Sequence, residues 1–279
     1  MVGLMAGLAG SVQAHGDLHE RIEQFLAVSN RQPDDPALHF ELASLYRQHG
    51  DWQNAIQQLD EVDRLAPGKY LTDFLRGETL LDGLQYTPAR TVLDTFLRAH
   101  PGHTRGLALR ARALRALNES EACLADYRAA LRGTPQPEPD LVMETADALA
   151  AYDRLDEAIQ VLDTASAQQG AIVSLPLRAI ELETNAGRFE AALQRVAAQQ
   201  KLAARPESWL ARRAQILAQA GRTTEAREAW QALLTHLGTL PDAQRHSHAM
   251  SRFAEQAYQG IAALHSSSSP ILPLASSKP

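Results

Sequence analysis

The chain repeats one pattern of small, apolar and turn-forming residues with a period of 34 residues, as shown by units that start at 36, 70 and 104. One extra residue enters at the loop 134–139, after which the pattern resumes in units starting at 139, 173 and 207. Small residues occupy one position of the second half of every unit: Ala55, Ala89, Cys123, Ala158, Ala192 and Ala226. A fixed period of this length predicts a stack of identical folding units, because no such unit can bury its apolar face alone.

Each unit contains two stretches whose apolar residues recur with helical spacing, separated by a short polar turn. In the first unit the pattern predicts helices over Ala37–His49 and Trp52–Leu65. The second stretch of each of the first three units is followed by a proline, which cannot continue a helix: Pro67, Pro101 and Pro135. Small residues such as Ala43 and Ala55 mark the positions where two helices approach closely. The sequence therefore predicts an all-α chain of helix–turn–helix units.

The period, the two-helix unit and the small-residue positions together resemble the tetratricopeptide repeat, with six repeats over 36–240. The resemblance implies a right-handed α-solenoid that binds a protein or peptide. The fifth unit departs most from the pattern, because Glu183 occupies a position that is apolar elsewhere.

The two ends of the chain differ from the repeats. Residues 1–14 form a short apolar run that ends in Val12-Gln13-Ala14, which is typical of a signal peptide. The alternative is a frayed N-terminal segment. Residues 15–35 look like a half-repeat that caps the array, 241–264 predict a C-terminal capping helix, and 265–279 predict a disordered tail. We therefore expect a periplasmic or secreted protein with no stable membrane insertion after cleavage, or otherwise a cytoplasmic one.

Charge and motifs exclude several classes of function. The net charge of −6 and the pI near 5.9 argue against a nucleic-acid partner. The sequence contains no nucleotide-binding, nucleophile-elbow, HExxH or CxxC motif, so we expect no enzymatic activity. The lone cysteine, Cys123, lies at a small-residue position and is expected to be a buried, unreactive thiol.

We expect no cofactor, with one alternative. Cleavage after Ala14 would place His15 at the N-terminus, where its α-amine and ring nitrogen could together chelate copper or zinc. His19 lies four residues further on, which is one helical turn away.

The resemblance also implies which side chains face a partner, because in this family the groove is lined by the first helix of each unit. The positions that correspond here are Phe40, Arg47, Phe74, Leu75, Glu78, Arg105, Arg112, Arg115, Met143, Asp147, Arg178 and Arg212. Apolar anchors would come from Phe40, Phe74 and Leu75. The arginines would orient a carboxylate or phosphate, or they would instead pair with acidic residues on neighbouring helices: Glu78, Asp82, Glu144 and Asp147.

The sequence thus predicts a non-enzymatic, exported scaffold that holds a peptide or a partner protein in its groove. Two alternatives stay open: metal binding through His15, and an accessory subunit of an envelope enzyme or assembly machine.

Overall fold

The computed structural model describes residues 5–170 and 172–266, with side chains from residue 17 to residue 264, and every regular element in these ranges is an α-helix. The all-α fold class predicted from the sequence is confirmed. The helices are α1 (Met5–Ser29), α2 (Pro36–His49), α3 (Trp52–Leu65), α4 (Thr72–Asp82), α5 (Tyr86–Ala99), α6 (Thr104–Ala116), α7 (Ser120–Arg132), α8 (Pro139–Ala151), α9 (Leu155–Gln169), α10 (Ser174–Asn185), α11 (Phe189–Leu202), α12 (Glu207–Gln219), α13 (Thr223–Thr239), α14 (Asp242–Arg245) and α15 (His248–Ser266).

The helices fall into two compact units, unit 1 (Met1–Asp153) and unit 2 (Arg154–Pro279). Within each unit, consecutive helices pack against one another, except that α13 packs against α15 across the short α14, and the first helices α2, α4 and α6 of unit 1 also contact one another in order. This is the stacked helix–turn–helix architecture of an α-solenoid. Within the described ranges, no helix is both long and apolar enough to cross a membrane.

The turn inside each repeat is built around one residue with a left-handed backbone. These residues are Gly50, Leu84, Asn118, Asp153, Gly187 and Gly221, with φ between 56° and 85°. They follow the sequence period, including the extra residue before the fourth unit. A left-handed residue ends a helix and reverses the chain, so the same turn recurs in every repeat even where the residue is not glycine.

Close helix packing explains the small-residue positions. A Cβ at Gly77 of α4 would lie 2.6 Å from Leu93 Cδ2 of α5, so even an alanine would require movement there. Cys123 of α7 is 0% exposed and lies among the core residues, as expected. Burial raises its pKa to about 11, so the thiol stays protonated at neutral pH.

The unusual Glu183 of the fifth repeat is held by an ion-pair network in unit 2. Glu183 is only 4% exposed, and both of its carboxylate oxygens accept from Arg195 Nε at 2.9 Å. The Arg195 guanidinium also donates to Asp163 Oδ2 from Nη2 at 2.8 Å. An acidic residue is therefore tolerated in an apolar position because α11 supplies its counterion.

The C-terminal cap differs from the single helix predicted over 241–264. It is divided into α14 and α15, because Ser247 starts a new helix: its hydroxyl accepts from the Met250 N–H at 3.4 Å and its carbonyl from the Ser251 N–H at 3.0 Å. The predicted apolar face is present, since Met250, Ala257 and Leu264 of α15 are buried against the core of α12 and α13.

Candidate functional site

The first helices of unit 1 carry ten of the twelve predicted groove residues, and two of the three expected apolar anchors are partly covered. Phe40 stacks on Tyr70 with ring centroids 5.3 Å apart. Phe74 packs against Phe96 at the same centroid separation of 5.3 Å. Leu75 is 7% exposed and belongs to the core, so the expectation that it faces a partner is wrong. Its position on α4 points it towards α2 and α3, whose Ala43 and Leu59 complete its cluster.

Glu78 of α4 gathers two arginines from the helices on either side. Arg47 Nη2 of α2 lies 3.7 Å from Glu78 Oε2, and Arg47 Nη1 donates to Asp82 Oδ2 at 2.9 Å. Arg105 of α6 donates to Glu78 Oε1, and its guanidinium carbon lies 5.4 Å from the centre of the Phe74 ring. These contacts fix both guanidiniums to the protein itself.

Arg112 is paired in the same way one helix further along. Its Nε and Nη2 donate to the two carboxylate oxygens of Glu144 on α8, each at 2.9 Å. This two-point geometry is the strongest form of arginine–carboxylate contact. Three of the predicted groove arginines therefore pair with acidic residues on neighbouring helices, which was one of the two alternatives considered from the sequence: Arg47, Arg105 and Arg112.

Arg115 is the exception in this cluster. Its side chain is exposed on α6, and within the described ranges it makes no ion pair. It lines a trough of about 540 Å³, the first trough, which is also called the α4–α6 trough because its walls come mainly from α4 and α6. The lining also contains Glu78, Leu81, Asp82, Tyr86, Leu109, Arg112, Ala116, Tyr127 and Glu144.

Tyr127 lies in the lining of this trough, and sequence reasoning missed it. Its side chain is 1% exposed, and its hydroxyl has no hydrogen-bond partner among the described residues. The corresponding positions of the neighbouring units hold Leu59, Leu93 and Leu162, so the sequence pattern alone indicates a space-filling core residue. A phenol where three of the other five units have leucine was the available signal, because a buried hydroxyl normally requires a partner.

A second trough, of about 520 Å³, lies beside the first and shares Arg112 and Glu144 with it. Its remaining lining comes from α6, α8 and the loop between α7 and α8: Thr104, Arg105, Ala108, Thr134, Glu138, Asp140 and Leu141. The Arg112–Glu144 pair therefore forms a common wall, and the two troughs follow the first helices of unit 1 from α4 to α8.

The remaining predicted residues are distributed over both units. Met143 and Asp147 are half-buried on α8 of unit 1. In unit 2, Arg178 Nη1 lies 3.1 Å from Glu181 Oε2, and Arg212 Nη2 lies 3.8 Å from Glu181 Oε1. The structure thus brings Arg178 and Arg212 together around one carboxylate.

The proposed metal ligands are only partly covered by the structure. The side chain of His15 lies outside the described residues. His19 Nε2 lies 3.4 Å from Glu23 Oε1, and its ring centre is 6.1 Å from that of His49. Across the described side chains, no group of three or more potential metal ligands is present. Metal binding through His15 stays a prediction.

Comparisons with known proteins agree with this architecture. Residues 12–70 and 74–137 match the family model for the tetratricopeptide repeat. No curated protein matches the sequence.

Among solved structures, a tetratricopeptide repeat protein from Parabacteroides merdae is 18% identical, with a TM-score of 0.55 over 85% of this chain and 94% of that one. MamA from Desulfovibrio magneticus is 19% identical, with a TM-score of 0.51 over 61% of this chain and 96% of that one. YrrB, a repeat protein described as having an unusual peptide-binding site, is 16% identical, with a TM-score of 0.50 over 64% of this chain and 92% of that one. At these identities the likeness concerns the fold alone.

Proposed function

Because residues 12–70 and 74–137 match the tetratricopeptide repeat model and the fold is that of an α-solenoid, we propose that this chain is a non-enzymatic scaffold whose unit 1 binds an extended segment of a partner protein. The binding face is formed by the first helices α4, α6 and α8. The observation that carries this proposal is the pair of adjoining troughs, which share Arg112 and Glu144 as a common wall. Proteins of this fold include one, YrrB, that has a peptide-binding site.

The dimensions of the face suit a short extended segment. Neighbouring packed helices lie ~8–10 Å apart, so three first helices span about 20 Å. An extended chain advances about 3.3 Å per residue, so about six residues would cross both troughs. Apolar lining from Leu81, Tyr86 and Leu141 would bury partner side chains, while the carboxylates of the ion pairs would accept hydrogen bonds at the edges and their guanidiniums would donate them.

Charge on this face favours binding that depends on salt concentration. The trough lining contains both guanidiniums and carboxylates, and Arg115 is exposed to solvent. Exposed charges are screened by salt, so the partner's affinity should fall as ionic strength rises. An accessory subunit that docks through a large apolar surface would instead bind with little dependence on salt.

Site-specific photo-crosslinking tests the face directly in native cells. A benzoylphenylalanine would replace Ala116 or Asp140, which are exposed and line the first and second troughs. The matched control is Thr91, which is exposed on α5 and lines neither trough. We expect one protein to be crosslinked from both trough positions and not from the control. Equal yields from all three positions, or crosslinking from Thr91 alone, would reject the face.

We also propose that the protein acts outside the cytoplasm, on the basis of the apolar run over residues 1–14. Mass spectrometry of the protein isolated with a C-terminal tag would test this proposal. A chain that begins at His15 and is recovered from the periplasm or the medium supports export, whereas an intact Met1 in the cytoplasm rejects it.

A further inference from the structure

Arg115 carries the one positive charge of the unit 1 cluster that the described residues leave without a counterion. Four guanidiniums lie in or beside the α4–α6 trough, on Arg47, Arg105, Arg112 and Arg115, and they face three carboxylates, on Glu78, Asp82 and Glu144. The first three arginines are bound to these carboxylates. Arg115 is therefore the one guanidinium of these four that no carboxylate of the described residues binds, and it is exposed to an incoming group.

Tyr127 supplies a second group without a partner at the same place. Its hydroxyl is buried in the lining of the trough and has no hydrogen-bond partner in the described part of the chain. Burial, followed by the nearby Glu144 carboxylate, raises the pKa of Tyr127, so the hydroxyl remains protonated and able to donate. A buried hydroxyl normally has an acceptor, and because this one belongs to the lining of the trough, a group bound there could supply it.

We propose that the α4–α6 trough binds the side-chain carboxylate of an aspartate or glutamate in the partner segment, with Arg115 and the Tyr127 hydroxyl as donors. This inference rests on the proposed function, since it assigns a chemistry to one position of the bound segment. The Tyr127 hydroxyl is covered in the structure, so a lining side chain must shift slightly to admit the carboxylate. Arg115 is a lining side chain that can shift, because no carboxylate of the described residues binds it.

The carboxylates around Arg115 favour a ligand group with a single negative charge over one with two. Glu78, Asp82 and Glu144 all line the trough, so a phosphate with two negative charges would be repelled by three carboxylates while only one guanidinium is available to it. The trough also adjoins the second trough across Arg112 and Glu144. A segment that continues into the second trough presents an internal side chain to Arg115, rather than the carboxylate at the end of a chain.

The test uses small probes on the full-length protein and follows the Arg115 Nε–Hε signal by NMR. The signal is assigned by its loss in Arg115→Lys. N-acetylglutamate N-methylamide is the side-chain carboxylate probe, and N-acetylglutamine N-methylamide is its neutral counterpart. N-acetylglycine and inorganic phosphate represent a chain-terminal carboxylate and a dianion. We expect a saturable shift with the glutamate probe, and binding at least tenfold weaker with each of the other three. A neutral or phosphate probe that binds as tightly as the glutamate probe would overturn the proposal, as would tighter binding of N-acetylglycine.

Three variants separate this site from a general effect of charge, with binding followed by the signals of the trough backbone. Arg115→Gln should abolish saturable binding of the glutamate probe, whereas Arg132→Gln, which removes an exposed charge of α7 outside the trough, should leave it unchanged. Tyr127→Phe should weaken binding threefold or more without lowering the urea midpoint, because it removes a hydroxyl that has no partner in the described part of the protein. Equal losses in Arg115→Gln and Arg132→Gln, or unchanged binding in Tyr127→Phe, would overturn the assignment of donors.

This test fails independently of the proposed function. Crosslinking of a partner from Ala116 without any binding of the glutamate probe would reject the carboxylate site and leave the scaffold in place. Probe binding without crosslinking from either trough would reject the scaffold.

Discussion

Removing the arginine that neutralises Glu183 is expected to destabilise unit 2 strongly. The Glu183 side chain is 5% exposed and that of Arg195 is 25% exposed, so Arg195→Met would leave a buried carboxylate without its counterion. Breaking a buried ion pair in this way costs ~3–5 kcal/mol. The comparison is Arg188→Gln, which removes an exposed pair with Asp156 whose side chains are 45% and 85% exposed. An exposed pair contributes little to stability, because solvent and salt screen its charges and two long side chains lose conformational freedom when they pair.

Urea unfolding followed by tryptophan fluorescence measures the difference. In a Trp52→Phe background the two remaining tryptophans, Trp209 and Trp230, both lie in unit 2, so the signal reports on that unit. With a urea dependence of ~1–3 kcal/mol per molar, the Arg195→Met midpoint should fall by about 2 M. The Arg188→Gln midpoint should move by about 0.5 M or less.

The double variant Glu183→Leu/Arg195→Met decides whether the buried charge is the cause. Replacing both partners by apolar residues is often neutral or stabilising, so this variant should recover most of the stability that Arg195→Met loses. A midpoint for Arg195→Met no lower than that for Arg188→Gln would refute the reasoning. So would a double variant as unstable as the single one, because the loss would then come from packing.

Two further predictions concern helix ends. Gly221 has φ 72°, and a Cβ there would meet no atom within 4 Å, so Gly221→Ala should destabilise unit 2 by about 1 kcal/mol through left-handed backbone strain alone. Gly238 in α13 has equally open space without a positive φ, so Gly238→Ala should instead stabilise by about 0.5 kcal/mol in the same urea assay. His103 Nδ1 accepts from the Gly106 N–H at 3.0 Å at the start of α6, and burial, helped by the charges of neighbouring groups, lowers the pKa of His103. The unfolded chain therefore takes up this proton first, and stability should fall as the pH drops below about 6.5. The fall should be smaller in His103→Asn, which keeps a capping acceptor but does not titrate; an equal fall in both proteins would show that other groups cause it.

The repeat architecture could be predicted because it depends on local pattern. The helix from Trp52 to Leu65 has the predicted bounds, since an aspartate before it caps its start and a proline two residues after it prevents its continuation. The turn at Leu84 was less predictable, because leucine rarely adopts a left-handed backbone and does so here through the packing of α4 against α5.

The sequence predicted which helices contribute to the candidate site, but not which of their charged side chains pair. The resemblance placed Arg112 and Arg115 on the same face, but it could not show that Arg112 reaches Glu144, 32 residues away, while Arg115 reaches no carboxylate of the described residues. Such pairs depend on side-chain length and helix spacing, which the sequence pattern does not contain. Tyr127 was missed for the same reason, because its position alone indicates packing and only its surroundings show an unpaired hydroxyl.

Calorimetry can measure how tightly the crosslinked partner segment, as a synthetic peptide, binds to trough and control variants. Ala116→Glu adds a bulky negative side chain to the lining of the first trough, and Thr91→Glu adds the same group on the exposed side of α5. We predict at least a tenfold loss of affinity for Ala116→Glu and an unchanged affinity for Thr91→Glu. An unchanged affinity for Ala116→Glu, or an equal loss in both variants, would contradict the assignment of the first-helix face of unit 1 as the binding surface.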